Sequence, residues 1–166
     1  MAKKKTYVYA LDLALNSTGI CIFTNDGKFV KTFTIDTHAE KETRLKLKLI
    51  GEYLQDLEKQ YPPSIVVMEQ GFSRFNASTQ AVFRVHGVVN YLFSNYEQVY
   101  YPATTVKKVA GGKGNITKEK LREVILHEHP DLDFKNYDES DAYAVGVTYF
   151  LTRDSEKENE NGKENL

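Results

Sequence analysis

Apolar positions alternate along the chain between strand-like runs and helical stripes. Tyr7 to Leu13 (YVYALDL) is β-branched, aromatic and apolar, which predicts a central strand. Gly19 to Thr24 and Phe29 to Ile35 predict two more strands. They are joined across Asn25-Asp26-Gly27-Lys28, a strong hairpin-turn signal, so the first three strands make an antiparallel meander. A helix follows from about Glu42 to Lys59, with Leu47, Ile50, Tyr53, Leu54 and Leu57 on one stripe. Pro62-Pro63 ends it. Ser64 to Met68 is then a buried strand reached by a crossover, hence parallel to its neighbour.

The second half continues in the same alternation. From Ser78 to Tyr96, Val82, Val85, Val88, Val89, Leu92, Phe93 and Tyr96 cover more than one helical stripe. That surplus calls for two packing partners, the sheet and a second subunit. Gln98 to Tyr101 is a short fifth strand, Thr104 to Val109 a helix, and Gly111-Gly112-Lys113-Gly114 a turn. Thr117 caps a helix carrying Leu121, Val124 and Ile125, and the last helix starts near Asp138 and buries Ala142, Val145 and Tyr149. The sum is an α/β fold: a mixed five-stranded sheet, three antiparallel strands then two parallel ones, flanked by helices. One domain spans residues 1–152. Arg153 to Leu166 holds five acids, three bases and almost nothing apolar, and is expected to be a disordered acidic tail.

Composition adds bounds. A chain of 166 residues with 41% hydrophobic content builds a core without disulfides. Its single thiol, Cys21, sits in an apolar stretch and reads as a buried small residue in a reducing compartment. With no secretory signal and no apolar run of about 18 residues, the expectation is a cytoplasmic protein with no membrane partner. The formal net charge of −1 hides an uneven distribution. From Phe72 to Arg122 there are eight bases and two acids, a stretch suited to a polyanion.

Candidate chemistry rests on four carboxylates. Asp12 lies inside a strand, Glu69 ends another, and Asp138 and Asp141 fall within one turn of the last helix. An acid in or just past a buried strand is costly unless a charge compensates it, and a divalent cation such as Mg2+ suits hard oxygen ligands. Two such ions about 3.5–4 Å apart would serve phosphodiester hydrolysis, and one pair would use all four acids. The competing structural readings are helix capping for Asp138 and Asp141, and an ordinary flexible turn for the Gly111–Gly114 stretch. His38, His86, His127 and His129 show no HExxH pattern and have no cysteine partners, so no zinc site is assigned; His86 reads as a packed core residue. Ser17 and Ser73 lack the context of a serine nucleophile.

From Tyr7 to Leu151 the chain resembles RuvC-type Holliday junction resolvases of the RNase H-like superfamily, most of all the short phage-encoded members. The resemblance lies in Asp12 followed by Thr18-Gly19, in Glu69-Gln70 with Phe72, in PATTVKKVAGGKGNITKEKLREVI, and in the D-x-x-D-A of Asp138, Asp141 and Ala142. It implies a metal-dependent endonuclease that resolves four-way junctions by paired nicks and also cuts other branched DNA. Asp12, Glu69, Asp138 and Asp141 would hold Mg2+, with Mn2+ as a substitute and two ions per site. Lys118 would stand near the scissile phosphate, Lys107 on the DNA face, and Phe72 would stack on unstacked bases; Arg74, Lys108 and Lys113, in the basic stretch, are expected to meet DNA as well. The helix from Ser78 to Tyr96 would form a homodimer, acting in the host cytoplasm if phage-encoded. DLALNSTG lacks the family's usual Pro-Gly after the aspartate, and the loop GFSRFNAST departs from the family pattern. Two alternatives stand beside this reading: a non-catalytic junction-binding module, and an RNase H-like nuclease for other branched DNA or RNA–DNA hybrids.

Overall fold

The computed structural model describes residues 2–71 and 77–164. Phe72, Ser73, Arg74 and Phe75 lie outside the described residues, and with them the expected roles of Phe72 and Arg74 in DNA binding. Five strands form one sheet in the order β3-β2-β1-β4-β5. They are β1 (Tyr7–Asp12), β2 (Ser17–Thr24), β3 (Phe29–Asp36), β4 (Pro63–Glu69) and β5 (Glu97–Tyr101). β1 pairs antiparallel with β2, and β2 with β3; β1–β4 and β4–β5 are parallel. The mixed sheet anticipated from the hydrophobic pattern is the one found.

The helices cover both faces. α1 (Thr43–Gln60) and α2 (Ala77–Leu92) lie on one; α3 (Ala103–Gly111), α4 (Lys118–Glu128) and α5 (Tyr137–Glu164) lie on the other. Successive side chains of a strand alternate between faces. Tyr9, Leu11, Val66 and Met68 therefore pack with Ile50, Leu54, Val85, Val89 and Phe93. Val8, Ala10 and Val67 pack with Val106, Leu121, Ile125, Ala142 and Val145. Asp12 and Glu69 continue this second set, so strand parity carries both acids toward the face of α5.

Two boundaries differ from expectation by more than two residues. α2 ends at Leu92 rather than Tyr96. Ser94 and Asn95 occupy a tight turn in which Tyr96 N donates to Phe93 O, and the Gln98 amide Nε2 donates to the carbonyls of Asn90 and Phe93. Phe93 still reaches the core, its ring 5.6 Å from that of Tyr9. The second difference is the acidic tail. α5 runs on to Glu164 where disorder was expected. Residues 154–163 are exposed, as composition demands. Glu and Lys are good helix formers, however, and a buried segment has already borne the cost of helix nucleation. Arg153 anchors the exit, its Nη1 donating to Asn25 O at 2.8 Å while the guanidinium lies 4.9 Å from the Phe150 ring centre.

Candidate active site

β1 and β4 run parallel with Leu11 opposite Met68, so Asp12 and Glu69 stand side by side at the carboxyl ends of adjacent strands. Such ends are where open α/β sheets place ligands. The start of α5 comes down onto them. A Cβ on Gly19 would lie 2.0 Å from the Asp138 carbonyl oxygen, so only glycine lets β2 accept the helix this closely. Ser17 Oγ donates to Asp138 Oδ2 at 2.5 Å. One turn later Asp141 Oδ2 pairs with Lys118 Nζ at 2.9 Å.

The result is a cleft of about 200 Å3 lined by Asp12, Glu69, Lys107, Lys118 and Asp141 with Ala103, Val106 and Leu121 beneath. A second cleft of similar size shares Asp12 and Glu69 and extends past Gln70 and Gly71 to Val82 and His86. Lys108 and Lys113 are exposed and line neither. Asp138 stands behind, held by Ser17, and its charge still acts on Asp12 and Asp141.

Electrostatics single these acids out. Burial, followed by the charge of Asp141, raises Asp12 to about 8, with Lys118 opposing and Glu69 and Asp138 adding to the rise. Glu69 is raised by burial and by Asp141, against Lys107 and Lys118. Asp141 is raised as well, because burial outweighs its hydrogen bond to Lys118. Burial works to lower Lys118, but the hydrogen bond and charge of Asp141, with Asp12 and Asp138, leave it raised and firmly protonated. Repelling, partly desolvated carboxylates at one point form a site that gains by taking up positive charge.

That donor set fits a hard divalent cation in its chemistry, being all carboxylate oxygen. Its geometry is not a closed cage: among the described residues no group of three or more His, Cys, Asp or Glu side chains is arranged to hold a metal ion. Lys118 stands against Asp141 instead.

Three contributors escaped the sequence reading. Ser17, weighed only as a nucleophile, orients Asp138. Glu139, which lies between the two candidate ligands, is 1% exposed and accepts hydrogen bonds from Thr32 Oγ1, Thr34 Oγ1 and Lys135 N. His86 is buried against α2's neighbours as expected, but it also lines the second cleft. In the acid-rich stretch DESD, only the direction each side chain takes from the helix distinguishes a buried anchor from a ligand. Asp138 is not the N-cap, since Asn136 Oδ1 accepts from Glu139 N, but it does stand in the first turn of α5, where an acid favours the helix.

Comparison with known proteins gives a consistent picture. The family model described as "Crossover junction endodeoxyribonuclease RuvC" matches residues 8–149. The enzyme of that name from Rickettsia typhi is 30% identical over 154 residues, covering 88% of this chain and 98% of the relative. That from Gluconobacter oxydans is 28% identical over 145 residues, 84% and 86% of the two chains. Among solved structures, Thermus thermophilus RuvC in complex with a Holliday junction substrate superposes with a TM-score of 0.76 at 18% identity, covering 90% of this chain and 96% of that one. A fowlpox virus resolvase with Holliday junction DNA gives 0.55 at 16% identity, covering 87% and 99%. The sequence relatives are bacterial, which lends no support to the phage-encoded subtype.

Proposed function

The chain belongs to the RuvC family of crossover junction endodeoxyribonucleases, and from that premise we propose that Asp12, Glu69, Asp138 and Asp141 are its metal ligands. Lys118, Lys107, Lys108 and Lys113 are its contacts to the DNA backbone. One observation carries the proposal: Asp12, Glu69 and Asp141 converge with Lys118 on a single cleft at the carboxyl ends of β1 and β4. Bound Mg2+, two ions with Mn2+ as a substitute, would supply an activated water and stabilise the leaving oxygen. The chain's own groups do the rest. Glu69 and Asp12 orient the attacking side from the strand ends, and Ser17 fixes the Asp138 carboxylate. Lys118 keeps its proton throughout the working pH range and offers it as charge to a phosphate oxygen.

The substrate is branched DNA, four-way junctions above all, and the active form is a homodimer through α2, where Tyr91 is 81% exposed. Two-fold symmetry in the protein then meets near two-fold symmetry in the junction and yields paired nicks. Among the described residues no helix is long and apolar enough to cross a membrane, in keeping with action in the cytoplasm. The test is incision of a mobile four-way junction in Mg2+, mapped on all four strands beside flap and RNA–DNA hybrid controls. Symmetric nicks on two strands are expected. Binding without incision would leave only a junction-binding module, and equal cutting of flaps or hybrids would remove the junction preference.

A further inference from the structure

Tyr100 pairs with Met68 on β4 and so turns toward α2, away from the face of the carboxylates. Its ring stacks on His86 with centroids 6.3 Å apart and planes 29° apart. Its hydroxyl contacts Asn90 Nδ2 and donates to Gln98 Oε1 at 3.2 Å. Although held by a ring on one side and amides at its tip, Tyr100 remains 41% exposed. Phe83, one turn before His86 on α2, is 47% exposed, with its ring centre 6.2 Å from the imidazole. A Cβ on Gly71 would come within 3.0 Å of the Phe83 ring, so the bare glycine makes room for it.

Between these rings lies a cavity of about 640 Å3, walled by Gln70, Gly71, Phe83, His86, Asn90 and Tyr100. Gln70, Gly71 and His86 also wall the cleft that holds Asp12 and Glu69, so the two spaces adjoin at the end of β4. An exposed ring already fixed by its neighbours loses little entropy when a flat partner stacks on it. Flat walls with amide groups at the rim, one residue beyond a phosphodiester-cutting site, match the π-face and polar edge of a nucleobase.

We propose that this cavity binds an unstacked nucleobase of the strand being cut, adjacent to the scissile phosphate. The proposal rests on the junction-endonuclease reading above and names a contact that selects the position of the nick. An abasic walk tests it: four-way junctions each carry one abasic nucleotide at successive positions around the mapped incision, and single-turnover rates are compared for wild type, Tyr100→Ala, Tyr100→Phe and Phe83→Ala. In wild type one abasic position is expected to slow cutting about 5- to 140-fold, the range for removal of one base–aromatic stack. Tyr100→Ala should be slowed by a similar factor on the intact junction and no further by that abasic site. Tyr100→Phe should behave as wild type. If Tyr100→Ala melts far below wild type, Phe83→Ala is judged in its place by the same coupling.

A binding arm reads the site without incision. 2-Aminopurine at the sensitive position, or at each flanking position in turn if nothing is cut, should be quenched by wild type in metal-free buffer and left bright by Tyr100→Ala. A protein that quenches the probe yet never nicks refutes the endonuclease reading and keeps the base site. Uniform tolerance of all abasic positions overturns the proposal, as does unchanged position sensitivity in the folded Tyr100→Ala variant. Loss of the dimer on sedimentation of either alanine variant, with no position-specific quenching in wild type, identifies the surface as a subunit contact and also overturns it.

Discussion

Burial and the neighbouring acids push the Asp12 carboxyl up to about 8 from an ordinary 3.8, so the folded, metal-free protein holds there a proton that the unfolded chain has shed. Linkage sets the sign. This contribution to stability is fully present below the unfolded value and is lost as pH rises through 8. In chelator, wild-type Tm should therefore fall between pH 5 and 8 more steeply than that of Asp12→Asn, and the variant should be the more stable at pH 8. Parallel melting profiles would contradict the assignment. Excess Mg2+ should raise wild-type Tm at pH 8 more than the variant's. Glu69 makes the complementary case. Glu69→Gln keeps the size of the side chain and removes its charge, so fold and junction binding should persist. Nicking should drop by more than about 100-fold, the scale seen when one group stabilising transition-state charge is removed. Near-normal incision by folded Glu69→Gln at saturating Mg2+ would exclude Glu69 as a ligand.

At the level of elements, the site depends on how the start of α5 is moored to the meander. Glu139 accepts from Thr32 Oγ1 at 2.9 Å and Thr34 Oγ1 at 3.1 Å, both on β3, and from Lys135 N at 3.0 Å. Asn136 Nδ2 adds a bond to Thr34 Oγ1 at 2.9 Å. Together with the close approach at Gly19, these bonds fix the rotation of the first helical turn, which is what sends Asp141 to the cleft and Asp138 to Ser17 behind it. Removing Glu139 leaves the half-buried Thr32 and Thr34 hydroxyls without this acceptor. Glu139→Ala should cost about 2–3 kcal/mol in urea unfolding, the usual scale for such orphaned groups. A loss below about 0.5 kcal/mol, typical of surface positions, would show that the network is not what holds the helix.

Across the whole molecule, the bases of α3 and of the turn after it give the cleft a positive border. Lys107 lines it, while Lys108 and Lys113 extend from the same side into solvent. Replacing all three with alanine should weaken binding to branched and linear DNA alike, since phosphate contacts position a protein without reading shape. The log–log salt slope should flatten by about 0.9 for each duplex phosphate that a lysine no longer neutralises. An unchanged slope would place the DNA path elsewhere on the surface.

Strand parity, the Asn25–Lys28 turn and the crossover after Pro62-Pro63 were all legible in the linear chain, because alternation and turn chemistry are local and survive into the fold. So was the candidate set Asp12, Glu69, Asp138 and Asp141, since acids beside apolar strands stand out against their surroundings. What lay beyond reach depended on which side of a helix meets which strand. In DESD the residue between the two candidate ligands became the buried anchor, because the rotation of α5 is set by contacts with β2 and β3 from a distant part of the chain. The exposed helical continuation past Arg153 escaped for a related reason: composition reports the absence of core contacts, whereas helix growth draws on a nucleus buried some residues earlier. The same holds for the cavity beside the cleft, whose walls come from the end of β4, α2 and β5. Those residues are ordinary in sequence and become a site only where the parallel pairing of β4 with β5 brings Tyr100 beside His86.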